Sequence, residues 1–237
     1  MIVIGGLGVL LWPLVVLIMA FHGSPPSSTQ LPDYAKAAQV IQGDGKEALA
    51  PDSVPQYLYD PIEQAGGDCG AIGPVVIAAQ IEAESKFAPD YSGSPSAQGI
   101  SGLDPRIFQQ YGTDADGNGR ISPFDPEDSV AAQGKYLCAL AGQARQLVDE
   151  RRLTGSVLDL TLAAYHGGMD ALERTGGIPA TGETPAYISG VRVWFPEFAG
   201  VYPPLPLSTA TPSTAPSDGP PDSSSPTEGP SGPDQAS

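Results

Sequence analysis

Residues 2–21 read Ile-Val-Ile-Gly-Gly-Leu-Gly-Val-Leu-Leu-Trp-Pro-Leu-Val-Val-Leu-Ile-Met-Ala-Phe and carry no charged side chain. At a rise of about 1.5 Å per residue, such a run matches a hydrocarbon layer about 30 Å thick. It predicts a transmembrane or signal-anchor segment over residues 1–22. At the other extreme, Pro, Ser, Thr, Gly and Asp dominate residues 203–237, and apolar residues almost vanish after Leu207. That composition cannot bury enough surface to offset chain entropy, which predicts a disordered tail. Residues 23–55 read as linker, with a short helix between Tyr34 and Ile41. Residues 56–202 remain, the length of one ordinary domain.

The net charge of −16 argues against nucleic acid and anionic lipid as electrostatic partners. Only Asp218, Asp222, Glu228 and Asp234 of the acidic residues lie in the tail. The domain is therefore acidic in its own right, which suits solubility outside a cell and the binding of cations. Cys69 and Cys138 are the two cysteines. Beyond a membrane segment they read as a disulfide, worth about 4 kcal/mol for a loop of that span; two buried thiols are the alternative. Their distance in sequence from the two histidines gives no zinc spacing.

Within the domain, helical periodicity and capping residues predict helices near 74–86, 105–111, 128–150, 157–165, 169–174 and 184–195. Pro74 suits a first turn, and Val130, Gly134, Leu137, Ala144 and Leu147 recur at helical spacing. No stretch alternates as a strand would. The expected class is all-α, with long loops over 88–96 and 112–126.

The helix 74–86 carries the first chemical candidate. At helical pitch Ile77, Ile81 and Glu84 share one face, with Val76, Gln80 and Phe87 at its margin. Glu82 and Lys86 fall opposite, four apart, as a solvated ion pair. Glu84 thus points where the core should be. Burial disfavours the charged form of a carboxyl, and a protonated carboxyl in a cleft is the proton donor that glycosidic cleavage needs. The same pattern fits an edge glutamate or the buried partner of an arginine.

The loop Asp114-Ala115-Asp116-Gly117-Asn118-Gly119-Arg120-Ile121-Ser122-Pro123-Phe124-Asp125 carries the second. Asp114, Asp116, Asn118, Arg120, Ser122 and Asp125 occupy positions 1, 3, 5, 7, 9 and 12 of a calcium loop of EF-hand spacing, with glycine at 6. Arg120 would act through its backbone. Asp125 replaces the usual glutamate, and its shorter arm leaves room for a water. Pro123 and Pro126 argue against a full helix directly after the loop. A structural Ca2+ is the expectation, and no cofactor for catalysis; a polar Asp/Gly turn is the alternative.

Glu84-Ser85 followed by Lys86-Phe87 resembles the Glu-Ser motif of soluble lytic transglycosylases of the lysozyme-like superfamily. Pro95-Ser96-Ala97-Gln98-Gly99-Ile100 is similar to that family's glycine-bearing loop. Leu162-Ala163-Ala164-Tyr165-His166-Gly167-Gly168 resembles its Ala-Tyr-Asn-Ala-Gly motif, and Glu183-Thr184-Pro185-Ala186-Tyr187 its Glu-Thr-x-x-Tyr motif. The calcium-like loop and the cysteine in the following helix resemble secreted actinobacterial members. The resemblance covers roughly residues 70–195, and four motifs in order make it specific.

It implies a lysozyme-like domain that cleaves the β-1,4 bond between N-acetylmuramic acid and N-acetylglucosamine in peptidoglycan glycan strands. It makes Glu84 the single acid and base and leaves 1,6-anhydro ends. Ser85, Gln98, Tyr165, His166 and Tyr187 would bind substrate or support the acid, with Tyr165 reaching toward Glu84. Glu183 would be a structural hydrogen-bonding partner. Two positions depart from the family pattern. Gly102 stands where relatives carry a glutamine, and His166 where they carry an asparagine, which implies weakened activity. A non-catalytic peptidoglycan-binding scaffold is the rival reading, and a calcium-regulated adhesive domain a third. The domain is expected on the extracytoplasmic side of the cell membrane, held by the N-terminal helix, or secreted if that segment is cleaved.

Overall fold

The computed structural model describes residues 33–93 and 96–202, and its regular elements are helices: α1 (Tyr34–Gln42), α2 (Gln56–Gly67), α3 (Pro74–Ser85), α4 (Pro105–Tyr111), α5 (Pro126–Asp149), α6 (Val157–Gly167), α7 (Met169–Thr175), α8 (Glu183–Arg192) and α9 (Phe195–Phe198). The expected all-α class holds among these residues, which contain only isolated bridges such as Gln98 with Leu103. The expected membrane segment and tail, and Pro95 of the glycine-bearing loop, lie outside the described residues. No helix among those described is long and apolar enough to cross a membrane.

The run Val75–Ile81 has no polar face, so the helix it forms must be surrounded. All seven residues are buried, and α3 is the centre of the fold. It packs against α2, α5, α8 and α9. This corrects the amphipathic reading of α3: between Val75 and Ser85 only Glu82, Ala83 and Glu84 are not fully buried, and of these Ala83 alone is exposed. The expected Glu82–Lys86 pair is absent from the ion pairs among the described residues. Lys86 has left the helix as its C-cap, at φ 55 and ψ 42, and Phe87 follows at φ 60.

Three further expectations change. Helix α2 was not foreseen, because Pro61 sits inside it and Gly66-Gly67 close it. A proline there leaves the Tyr57 carbonyl without its helical donor, and Tyr57 is exposed, where water can serve. Residues 33–55, expected as linker, are part of the folded body. Ala37, Val40, Leu49 and Val54 are buried, and the Ala50 amide donates to the Phe198 carbonyl at 2.7 Å. Arg192 fastens α1: its Nη1 donates to the carbonyls of Ile41 and Gly43, its Nε to Asp159, and its guanidinium lies over Phe195. Finally, α5 begins at Pro126, directly after the 114–125 loop. A proline at the first turn loses only a hydrogen bond that the helix start does not make.

Cys69 and Cys138 are joined in a disulfide that ties the exit of α2 to the middle of α5. Closing a loop of 69 residues stabilises the fold by about 4 kcal/mol in the chain-entropy model.

Candidate active site

Glu84 stands at the last turn of α3, beside three other segments. The first is a tight hairpin. The amide of Gln98 donates to the Leu103 carbonyl at 2.9 Å, that of Leu103 to the Gln98 carbonyl at 3.1 Å, and that of Gly102 to the Gly99 carbonyl at 3.0 Å. Its two glycines are required. Gly99 and Gly102 hold φ of +69° and +60°, and a Cβ on Gly99 would fall 1.6 Å from the Pro123 carbonyl oxygen. Side chains from two helices fasten the turn. Ser85 Oγ donates to the Ile100 carbonyl at 2.6 Å, and Tyr165 Oη to the Ser101 carbonyl at 2.7 Å.

Tyr165, on α6, was expected to reach toward Glu84. Its hydroxyl instead supports the turn beside it. The hydroxyl that holds the acid belongs to Tyr187, on α8, which donates to Glu84 Oε1 at 2.6 Å. His166, exposed at the end of α6, stacks on the Tyr187 ring with centroids 4.5 Å apart and planes 15° from parallel. Tyr187 thus bonds the acid, His166 stacks on Tyr187, and Ser85 and Tyr165 fasten the turn that carries Gly102 against Glu84. Gln98 contributes backbone to the base of the hairpin. Glu183 is exposed at the first turn of α8.

Gly102 fits this packing for a reason the sequence does not give. A Cβ there would lie 2.9 Å from Glu84 Oε2 and 3.2 Å from Glu84 Cβ. In this geometry a longer side chain at 102 would press on the acid itself.

Burial pushes the Glu84 carboxyl above its usual range, and the hydrogen bond from Tyr187 works against that rise. The tyrosines respond in turn. Burial, then the nearby Glu84 carboxylate, raise Tyr165 and Tyr187 well above the usual phenol range, so both remain donors. The site is a half-buried acid that keeps its proton at a higher pH than an exposed glutamate and has one oxygen held by a phenol.

Two residues of this site escaped the sequence reading as functional candidates. Gln80 Nε2 donates to Tyr187 Oη at 2.8 Å, and Gln133 Nε2 donates to Gln80 Oε1 at 2.9 Å. Both glutamines are fully buried. The available signal was a long amide on an otherwise apolar helix face at two places, Gln80 in α3 and Gln133 in α5.

The acidic loop gathers a separate cluster of carboxylates. Asp114, Asp116 and Asp128 each bring a carboxylate oxygen within 4.8 Å of the others. Asp128 was not among the expected ligands. It is buried, and it accepts the amides of Ala115 at 2.7 Å and Ser122 at 2.9 Å, joining both ends of the loop to α5. Asp125, Arg120 and Ser122 are not in that cluster. Asn118 turns its amide nitrogen to Asp116 and Asp125, at 2.9 and 2.8 Å, so it would have to rotate to offer an oxygen. Three carboxylates this close are donors of the kind a hard divalent cation takes.

The family model described as transglycosylase SLT domain matches residues 62–188, which spans α3, the hairpin, the acidic loop and Tyr187. No solved structure matches the chain. The matched span covers more than half of the chain, and the chain belongs to the transglycosylase SLT domain family, the lysozyme-like lytic transglycosylases that act on peptidoglycan.

Proposed function

We propose that this protein cuts the β-1,4 bond between N-acetylmuramic acid and N-acetylglucosamine, with Glu84 as the only acid and base. The observation that carries this reading is the burial of the Glu84 carboxyl, which raises its proton affinity, together with the Tyr187 bond that fixes one of its oxygens. Glu84 gives its proton to the glycosidic oxygen as the bond from that oxygen to C1 of the muramic sugar breaks. The carboxylate so formed takes the proton of the C6 hydroxyl of the same sugar, and O6 closes on C1. The proton returns to Glu84, no water is consumed, and the new end is a 1,6-anhydro ring. Ser85 and Tyr165 hold the hairpin beside the acid, and His166 covers Tyr187 from the solvent side.

Mass analysis of the fragments released from purified walls tests the product. Anhydro ends are expected. Reducing ends, heavier by one water, would make the enzyme a hydrolytic muramidase. Binding to insoluble walls with no release of fragments would favour a scaffold.

The same reading puts the domain outside the cytoplasm, on the membrane if the N-terminal segment anchors it. What supports this is the Cys69–Cys138 disulfide, since such bonds persist in oxidising compartments. It also assigns a structural Ca2+ to the acidic loop, held by Asp114, Asp116 and Asp128. The ion would brace the entry to α5 and take no part in the proton transfers.

A further inference from the structure

The hydrogen bonds around Tyr187 have a direction. A phenol carries one hydrogen. Gln80 Nε2 reaches Tyr187 Oη at 2.8 Å as a donor, so the phenol's own hydrogen is left for Glu84 Oε1 at 2.6 Å. This holds only while Gln80 keeps its nitrogen toward the phenol. Were that amide turned over, its oxygen would accept the phenol hydrogen and Glu84 would lose its donor.

Gln133 prevents the reversal. Its Nε2 donates to Gln80 Oε1 at 2.9 Å and faces the Ile77 carbonyl at 3.5 Å. A backbone carbonyl can only accept, so the nitrogen of Gln133 is the end that belongs there. That nitrogen requires the oxygen of Gln80 opposite it, and therefore the nitrogen of Gln80 toward Tyr187. The direction is set by the main chain of α3 and passed through two fully buried amides. Gln133 Oε1 is buried without a partner in this arrangement; turned over, the unpartnered end would be an amide nitrogen with two hydrogens in place of one oxygen, and the Ile77 carbonyl would face an oxygen.

We propose that Gln133 and Gln80 are positioning residues, which fix the Tyr187 hydroxyl as a donor to Glu84 Oε1 and thereby assign the transferable proton to Oε2. A carboxyl oxygen that accepts a hydrogen bond is the carbonyl-like one, and its partner carries the hydrogen. Oε2 is the oxygen beside Gly102, where the missing side chain leaves space that a Cβ would enter to 2.9 Å. The proton that reaches the glycosidic oxygen is on the hairpin side of the acid. The inference rests on Glu84 being the acid, as proposed above.

The test removes the amide that holds Gln80. In Gln133→Leu nothing opposes the turning of Gln80, whose oxygen then competes with Glu84 Oε1 for the phenol hydrogen. KM should stay near wild type and kcat should fall about tenfold. The alkaline limb of the rate–pH profile should move to higher pH, because the Tyr187 bond that favours the carboxylate is no longer enforced. Tyr187→Phe should cost less in that background than in the wild type. A folded Gln133→Leu variant with wild-type kcat and pH profile would overturn the relay, as would a full Tyr187→Phe loss in that background. If Gln133→Leu does not fold, Gln133→Met should show the same displaced limb, and an unmoved limb there overturns the relay equally. Glu84→Gln is assayed alongside. If it keeps wild-type activity, the acid assignment fails and takes the relay with it; if it is inactive while the amide variants behave as wild type, the relay alone fails.

Discussion

The Tyr187 hydroxyl meets Glu84 Oε1 at 2.6 Å across 103 residues of sequence, joining α8 to the end of the central helix. The bond opposes the larger effect of burial, so the acid is raised in pKa yet keeps a fixed orientation. Stability and activity should therefore respond to Glu84 in opposite senses.

The folded chain binds the Glu84 proton more tightly than the unfolded chain does. Its contribution to stability is thus fully present below its ordinary value of 4.5 and is lost as pH rises through the folded value. Glu84→Gln removes that loss and keeps an oxygen for Tyr187 to bond. The variant is expected to melt above wild type at pH 7 and level with it at pH 4, as read by thermal melts across that range.

Gly102 is held at φ +60° with its missing side chain against the acid. Gly102→Ala should cost about 1–3 kcal/mol in stability through the left-handed backbone alone, and also slow the release of wall fragments. Gly102→Gln should not raise activity, since in this hairpin that side chain starts 2.9 Å from Glu84 Oε2. Thermal melts and turbidity clearance of purified walls read both effects.

Lys86 caps α3 in the left-handed region, where glycine is the unstrained residue. Lys86→Gly should stabilise the domain by up to about 1 kcal/mol, and raise Tm by roughly 2–4 °C. A drop in Tm would mean that Lys86 makes a compensating interaction.

Calcium at a hundredfold excess over its Kd should stabilise the domain by about 2.7 kcal/mol, and a chelator should remove the gain. Asp116 is exposed, so Asp116→Ala should fold normally and lose the calcium-dependent rise in Tm. A rise that persists in the variant would assign the ion elsewhere.

The sequence carried the helices with strong periodicity and firm stops, such as α5 and α6, and the four ordered motifs that converge on Glu84. Helix α2 was hidden because its interior proline and terminal glycines look like turn residues, and only packing on α5 reveals why it forms. The role of residues 33–55 depends on Arg192, nearly 150 residues away, whose bonds to Ile41 and Gly43 no local pattern foretells. The exchange of Tyr165 for Tyr187 as partner of the acid is of the same kind. Both tyrosines were visible, but which hydroxyl meets Glu84 is decided by how α6 and α8 pack. Asp128 lies three residues beyond the spacing that flagged the acidic loop, and it joins the site only because α5 starts directly at Pro126.

Digestion of purified peptidoglycan by the full chain and by Glu84→Gln, followed by mass analysis of the soluble fragments, tests the role of Glu84 most directly. Anhydro-muramyl products from the wild type and none from the folded variant are the expected outcome. Equal product from both would contradict the assignment of Glu84 as the acid.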